Sequence, residues 1–200
     1  MKMLLRIAQY YVPDGIKDAK LMALFSIVAT AFGCDMPPVD HLSFDGKLRV
    51  FAQFTNTQAE AAIQRRAELP VIERWLFWGA FQLGRELRTR LGVTTIEDVM
   101  AAGRMIYRAL DIDLQATATG PAISEMTINH CFFSQIYSSR VCELISALDR
   151  GLFAGLSGGG KLTFSQRITS GNETCKACLV GVAPMHAAAS RSNDVEASTV

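Results

Sequence analysis

Apolar residues at steps of three and four dominate the first half of the chain and give way to alternation in the second. From about Asp14 to Phe32 the spacing predicts a helix, broken by Pro37-Pro38. Phe44-Asp45-Gly46-Lys47-Leu48 reads as a turn between two short extended pieces, with Val50 and Phe54 available for packing. Helical spacing resumes from about Ala59 to Leu91, interrupted near Pro70, with Ile72, Trp75, Leu76, Gly79, Leu83 and Leu87 forming the repeat. Gly92 is placed to stop this helix, and Thr94 or Thr95 to cap the next. Glu97 and Asp98 would favour the dipole of that helix, which should run to about Leu110.

After Gly120-Pro121 the texture changes. Met126, Ile128, His130 and Phe132 alternate with Glu125, Thr127, Asn129 and Cys131, as in a strand. A helix is predicted from about Ser138 to Phe153 on the stripe Val141, Leu144, Ile145, Leu148 and Leu152, weakened by Gly151 and Gly155. Leu162, Phe164 and Ile168 then alternate with Thr163, Ser165 and Arg167, and Ser170-Gly171-Asn172 turns into a strand from Thr174 to Val180, giving a hairpin. Helices first, then strand, helix and hairpin, predict an α+β fold with an N-terminal helical part packed on a small antiparallel sheet. A single domain is expected over residues 1–183: an N-terminal helix and extended segment (1–56), a helical part (57–118) and a cysteine-bearing part (119–183). A disordered tail, 184–200, should follow.

Composition narrows the partners. Half of the 200 residues are hydrophobic, and 20 Lys and Arg nearly cancel 19 Asp and Glu, so the chain is globular without an electrostatic footprint for nucleic acid or anionic lipid. The densest basic run, Arg85, Arg88 and Arg90, fits a solvated helix face. The apolar stretch Leu21–Gly33 falls short of the roughly 20 residues that span a bilayer. Ala29-Thr30-Ala31 has the look of a cleavage site, but Tyr10-Tyr11, Pro13-Asp14-Gly15 and Asp18 precede it, so a buried helix and a cytoplasmic location are expected, without a membrane partner. Five cysteines without an export signal point to reduced thiols that ligate metal, react or pack.

Three of those thiols carry the candidate chemistry. On a helix, Asp149 falls within about 20° of Cys142, on the flank of the apolar stripe, with Ser138 and Ser146 to either side. Cys131 ends the first strand and Cys175 begins the last. If the helix crosses the sheet, Cys131, Cys142 and Cys175 converge, either as zinc ligands or as a nucleophile supported by the other two. Cys175-Lys176-Ala177-Cys178 spells CxxC, but residues three apart on a strand face opposite ways, so Cys175 is expected inside and Cys178 spare. By the same alternation His130 faces away from Cys131. Gly155 through Lys161 matches the start of a phosphate loop but continues with Leu162 into a strand, so no nucleotide cofactor is expected.

The segment from about Glu125 to Leu179 resembles the L-2-amino-thiazoline-4-carboxylic acid hydrolase-like family. The resemblance rests on Ile128-Asn129-His130-Cys131, Val141-Cys142 through Leu148-Asp149, Leu162-Thr163-Phe164 and Gly171-Asn172-Glu173-Thr174-Cys175. More distantly, the layout is similar to vinyl-reductase-type small-molecule-binding domains. The first resemblance implies a hydrolase opening a C–N bond of a cyclic amidine such as a 2-aminothiazoline carboxylate. Cys131 would be nucleophile, or the three thiols would hold a zinc that activates water, with Asp149 as proton carrier. Asn129, about 6.6 Å along the strand from Cys131, would hydrogen-bond substrate, and Arg167 would pair with a substrate carboxylate. The second implies a non-catalytic domain, with structural zinc and with Phe132, Phe133, Phe153 and Phe164 lining an apolar pocket. Either way the expected partner is a small molecule, and a homodimer is compatible with both.

Overall fold

In the computed structural model of the protein, residues 13–65 and 68–181 are described, so the expected tail at 184–200 and the first twelve residues lie outside them. Four long helices come first: α1 (Asp14–Phe32), α2 (Phe44–Gln64), α3 (Leu69–Leu91) and α4 (Ile96–Ala109). Strands β1 (Ile112–Gly120) and β2 (Ile123–Cys131), helices α5 (Ser139–Ile145) and α6 (Ala147–Ser157), and strands β3 (Lys161–Gln166) and β4 (Cys175–Val180) complete an α+β fold. The sheet is antiparallel throughout, in the order β1-β2-β4-β3.

Several boundaries follow from local chemistry named in the sequence. Gly92 ends α3 in the left-handed conformation, φ 64°, open to glycine at little cost. Thr95 opens α4 with a capping box: its hydroxyl accepts the Asp98 N–H, while the Asp98 carboxylate accepts the N–H of Thr94 and Thr95.

Two expectations give way. Residues 44–64 form one helix, not a turn between extended pieces. Ser43 caps it, accepting the Gly46 N–H at 3.3 Å, and Leu48, Phe51, Ala52, Thr55, Ala59 and Ala62 bury one helical face. The Asp45-Gly46 pair is the first helical turn. Residues 112–120, most of them within the part expected to be helical (57–118), form an edge strand in which Ile112 and Leu114 are buried between exposed Asp113 and Gln115. Trp75 also leaves the stripe assigned to it: it is 56% exposed, beside Trp78 at 50%.

The helices cover one face of the sheet, α4 against β1 and α6 against β3, and the core lies between the layers. The tightest helix contact is α3 with α6. An added Cβ at Gly151 would stand 2.1 Å from the Phe77 carbonyl oxygen, at Gly155 2.2 Å from that of Phe81, and at Gly84 2.3 Å from that of Leu152. These two backbones touch directly, which glycine alone permits.

Candidate functional site

Between helices and sheet lies a cavity of about 170 Å³. Its walls are mostly aliphatic and aromatic: Leu21 and Leu24 from α1, Leu83 and Leu87 from α3, Ile112, Ile128 and Phe164 from the sheet, and Leu148 and Leu152 from α6. Polar side chains join them: Tyr107, Cys131, Cys142, Ser146, Asp149, Arg167 and Cys175 form one group, Tyr137 lies in the wall as well, and α1 contributes Lys17 and Lys20. Cys131, Cys142, Cys175 and Asp149 thus line one cavity.

Two strand irregularities place members of this group. In β2, Ile112 pairs with Cys131 and Asp113 with His130, but Leu114 pairs with Ile128, leaving Asn129 without a partner. That bulge advances the alternation by one residue, so Cys131 shares the inner face with Met126 and Ile128. Asn129 is exposed and donates to Asp113 Oδ2 at 3.1 Å, away from the cavity. The expectation that Asn129 stands beside Cys131 and binds substrate is therefore corrected. In β3, Phe164 pairs with Ala177 and Gln166 with Lys176, leaving Ser165 unpaired. The same phase shift brings Arg167, which simple alternation sets with outward Thr163 and Ser165, into the cavity wall. On β4, Cys175 and Ala177 are buried while Lys176 is exposed; Cys178, as expected, does not line the cavity.

The helix expected over 138–153 is interrupted at Ser146, between α5 and α6, yet Cys142 and Asp149 still face the same cavity. Ser146 Oγ donates to the Glu143 carbonyl at 2.7 Å and accepts from Arg150 Nη1 and Arg167 Nη2, both at 3.1 Å. Arg150 is itself paired with Glu73 of α3. Arg167 lies with its guanidinium carbon 4.7 Å from the Phe164 ring centroid.

Asp149 is the central ionisable group. Burial pushes its carboxyl from 3.8 up to about 6, opposed by the Tyr107 hydrogen bond and by the charges of Arg150 and Arg167. The Tyr107 hydroxyl donates to Asp149 Oδ1 at 2.7 Å, and its ring stacks on Phe153 at 5.7 Å. Tyr107 was absent from the residues singled out in the sequence. The signal available was a tyrosine one turn after Gly103 on the buried face of α4, because a buried phenol requires a hydrogen-bond partner.

All three cavity thiols are pushed up. Cys131 reaches about 12, chiefly by burial, against backbone N–H groups of Ser134 and Phe133 that favour its thiolate. Cys142 is raised by burial and by Asp149, against Thr169 and Arg167. Cys175 is raised by burial and by Asp149, although its sulfur accepts the Ile168 N–H at 3.3 Å. In the ligand-free protein these are neutral thiols at physiological pH. Iodoacetamide at pH 7.4 should therefore alkylate Cys131, Cys142 and Cys175 on the order of a hundredfold more slowly in the folded protein than in urea. Peptide mapping of the alkylated sites would check this, and fast labelling of any of the three in the folded state would contradict it.

Among the described residues no group of three or more His, Cys, Asp or Glu side chains is placed to hold a metal ion, so the expected zinc set of Cys131, Cys142 and Cys175 is not assembled here. No described helix is long and apolar enough to cross a membrane.

No family model and no curated protein matches the chain. Among solved structures, the fold is similar to that of a trafficking protein particle complex subunit 3 from Naegleria fowleri, crystallised covalently bound to palmitic acid. That similarity has a TM-score of 0.52 at 8% identity and covers 68% of this chain and 96% of that one. An H-NOX protein from S. oneidensis, in its Fe(II)NO ligation state, aligns over 90% of this chain and 98% of its own at 13% identity, with a TM-score of 0.37. At such identities the first likeness bears on the fold alone, and the second carries no argument.

Proposed function

We propose that this domain binds a small, mainly apolar molecule in the cavity between its helices and its sheet, with the ligand's polar group beside Asp149 and Arg167. The observation that carries the reading is the cavity itself, apolar on most sides and with polar groups from several elements in its wall. It agrees with the small-molecule-binding role implied by the vinyl-reductase-type resemblance, without requiring zinc. The palmitic acid carried by the trafficking subunit is an apolar ligand in a protein of similar fold, in keeping with this use.

The test is titration of the whole chain with 1-aminoanthracene, whose fluorescence rises on leaving water. Stoichiometric binding is expected, weakened roughly tenfold by Ala109→Trp, which extends an indole from a half-buried position in the cavity wall. Absence of binding by folded wild-type protein overturns the reading.

One observation favours a second reading, hydrolysis of a cyclic amidine carboxylate. Asp149 and Arg167 supply opposite charges in the wall that holds Cys131, matching a zwitterion. Cys131 Sγ would bond to the amidine carbon, its proton passing through Asp149 to the leaving nitrogen as the C–N bond breaks, and water would then cleave the carbon–sulfur bond. Mass spectrometry of 2-aminothiazoline-4-carboxylate incubated with the protein should then show ring opening that Cys131→Ser and Asp149→Asn abolish. An unchanged substrate removes this reading.

A further inference from the structure

Arg167 enters an apolar cavity without an anionic partner. Its Nη2 donates to Ser146 Oγ at 3.1 Å and its face lies over Phe164, but its Nε–H is buried with no hydrogen-bond partner. Ser146 cannot turn to serve it further, since its hydroxyl already donates to Glu143 and accepts from Arg150. The neighbouring carboxyl, Asp149, is near enough to feel the guanidinium charge, yet it takes its hydrogen bond from Tyr107, and among the described residues it makes no ion pair with Arg167. The thiols of Cys131, Cys142 and Cys175 are neutral and supply no counter-charge.

A half-buried guanidinium with a buried, unused N–H is costly to keep, and the group that relieves it is a planar oxyanion. From this we infer that the ligand is an apolar carboxylic acid, its carboxylate held by the Arg167 guanidinium and its hydrocarbon against the aliphatic walls. The inference rests on the binding reading above. It makes Arg167 the residue that sets ligand class and Ser146 a positioning residue that holds the guanidinium at one orientation. A carboxylate fits a guanidinium edge in its own plane, an alcohol brings no charge, and an amine is repelled.

Calorimetric titration of the whole chain at pH 7.5 with decanoate, decanol and decylamine tests the assignment, because the three share one hydrocarbon chain and differ in the head. Decanoate should bind on the order of tenfold more tightly than decanol, and decylamine most weakly. Arg167→Gln should bring decanoate and decanol to equal affinity, and Ser146→Ala should narrow the preference without abolishing it. The wild-type ranking decides the ligand class even if a variant is unstable, and the Arg167→Gln comparison assigns the carboxylate to Arg167 and not to Lys17 or Lys20 of the same wall. Decanoate binding no better than decanol, or not at all, overturns the carboxylate inference. If 1-aminoanthracene still binds in that case, the cavity reading stands; if the dye fails as well, both fall.

Discussion

Gly155→Ala should lower the unfolding free energy by roughly 3 kcal/mol and take most of the cavity's ligand affinity with it. Helix propensity alone pulls the other way, since alanine in a helix interior is favoured over glycine by about 1 kcal/mol. Packing decides the sign. A Cβ at position 155 would stand 2.2 Å from the Phe81 oxygen, 2.7 Å from the Arg85 nitrogen and 2.9 Å from the Gly84 carbonyl carbon. All three are backbone atoms of α3, so no side chain can swing aside and the helices must part. Cavity walls move with them, because Ala80, Leu83 and Leu87 line it from α3 and Leu148, Asp149 and Leu152 from α6. Gly151→Ala should behave alike, with its Cβ 2.1 Å from the Phe77 oxygen. Gly15→Ala is the control: no heavy atom lies within 4 Å of its added Cβ, and its stability should stay within about 0.5 kcal/mol of wild type. Urea unfolding of the three variants checks the ranking. A Gly155→Ala protein as stable as Gly15→Ala would contradict the direct backbone contact.

Those glycines show where the sequence was legible and where it was not. Periodicity places α1, α3, α4, the strands of the hairpin and the stripe of α5 and α6 close to where they are, because each follows from a local rule: an apolar repeat, a cap, a glycine stop. The same local reading takes Gly151 and Gly155 as weak points of a helix, whereas their purpose becomes visible only once α3 lies across them. Asp45-Gly46 carries a turn signal, but Ser43 caps a helix there and the buried face from Leu48 to Ala62 outweighs the propensity cost. At the site, Cys131, Cys142, Asp149 and Cys175 were readable as a constellation, since spacing on one helix and position at strand ends suffice. Asn129 was set in the site wrongly, and Arg167, named as a substrate ligand only by resemblance, was left by alternation among outward residues, for one shared reason. Strand alternation carries forward a single phase, and each strand inserts one unpaired residue, Asn129 in β2 and Ser165 in β3, with no glycine to announce it. Ser146 was readable on the same helix edge as Cys142 and Asp149, whereas Tyr107 belongs to the site through a contact with Asp149, 42 residues distant in sequence, which no local pattern encodes.

Asp149→Asn separates stability from chemistry. The carboxyl rises from 3.8 to about 6 on folding, mainly because burial disfavours its charge. Below 3.8 both folded and unfolded chains hold the proton, and the group contributes nothing to pH dependence. Between 3.8 and about 6 only the folded chain holds it, so stability falls as pH rises; above about 6 the loss is complete, on the order of 2–3 kcal/mol. Asparagine keeps an oxygen to accept the Tyr107 hydroxyl at nearly the same place and carries no charge to bury. The variant should therefore be more stable than wild type by roughly 2–3 kcal/mol at pH 7.5, a gain shrinking to about 0.5 kcal/mol at pH 4, measurable by urea unfolding at the two pH values. A pH-independent difference would mean that the carboxyl is not held in a desolvated site. Such a protein, folded and stabilised, is also the cleanest probe of function. In the binding reading it retains 1-aminoanthracene, and it takes decanoate more tightly, because a negative charge in the same cavity wall as the ligand's carboxylate is gone. In the hydrolytic reading it loses turnover entirely, having lost the group that carries the proton. The two readings thus predict opposite results for one substitution, tighter binding or lost turnover.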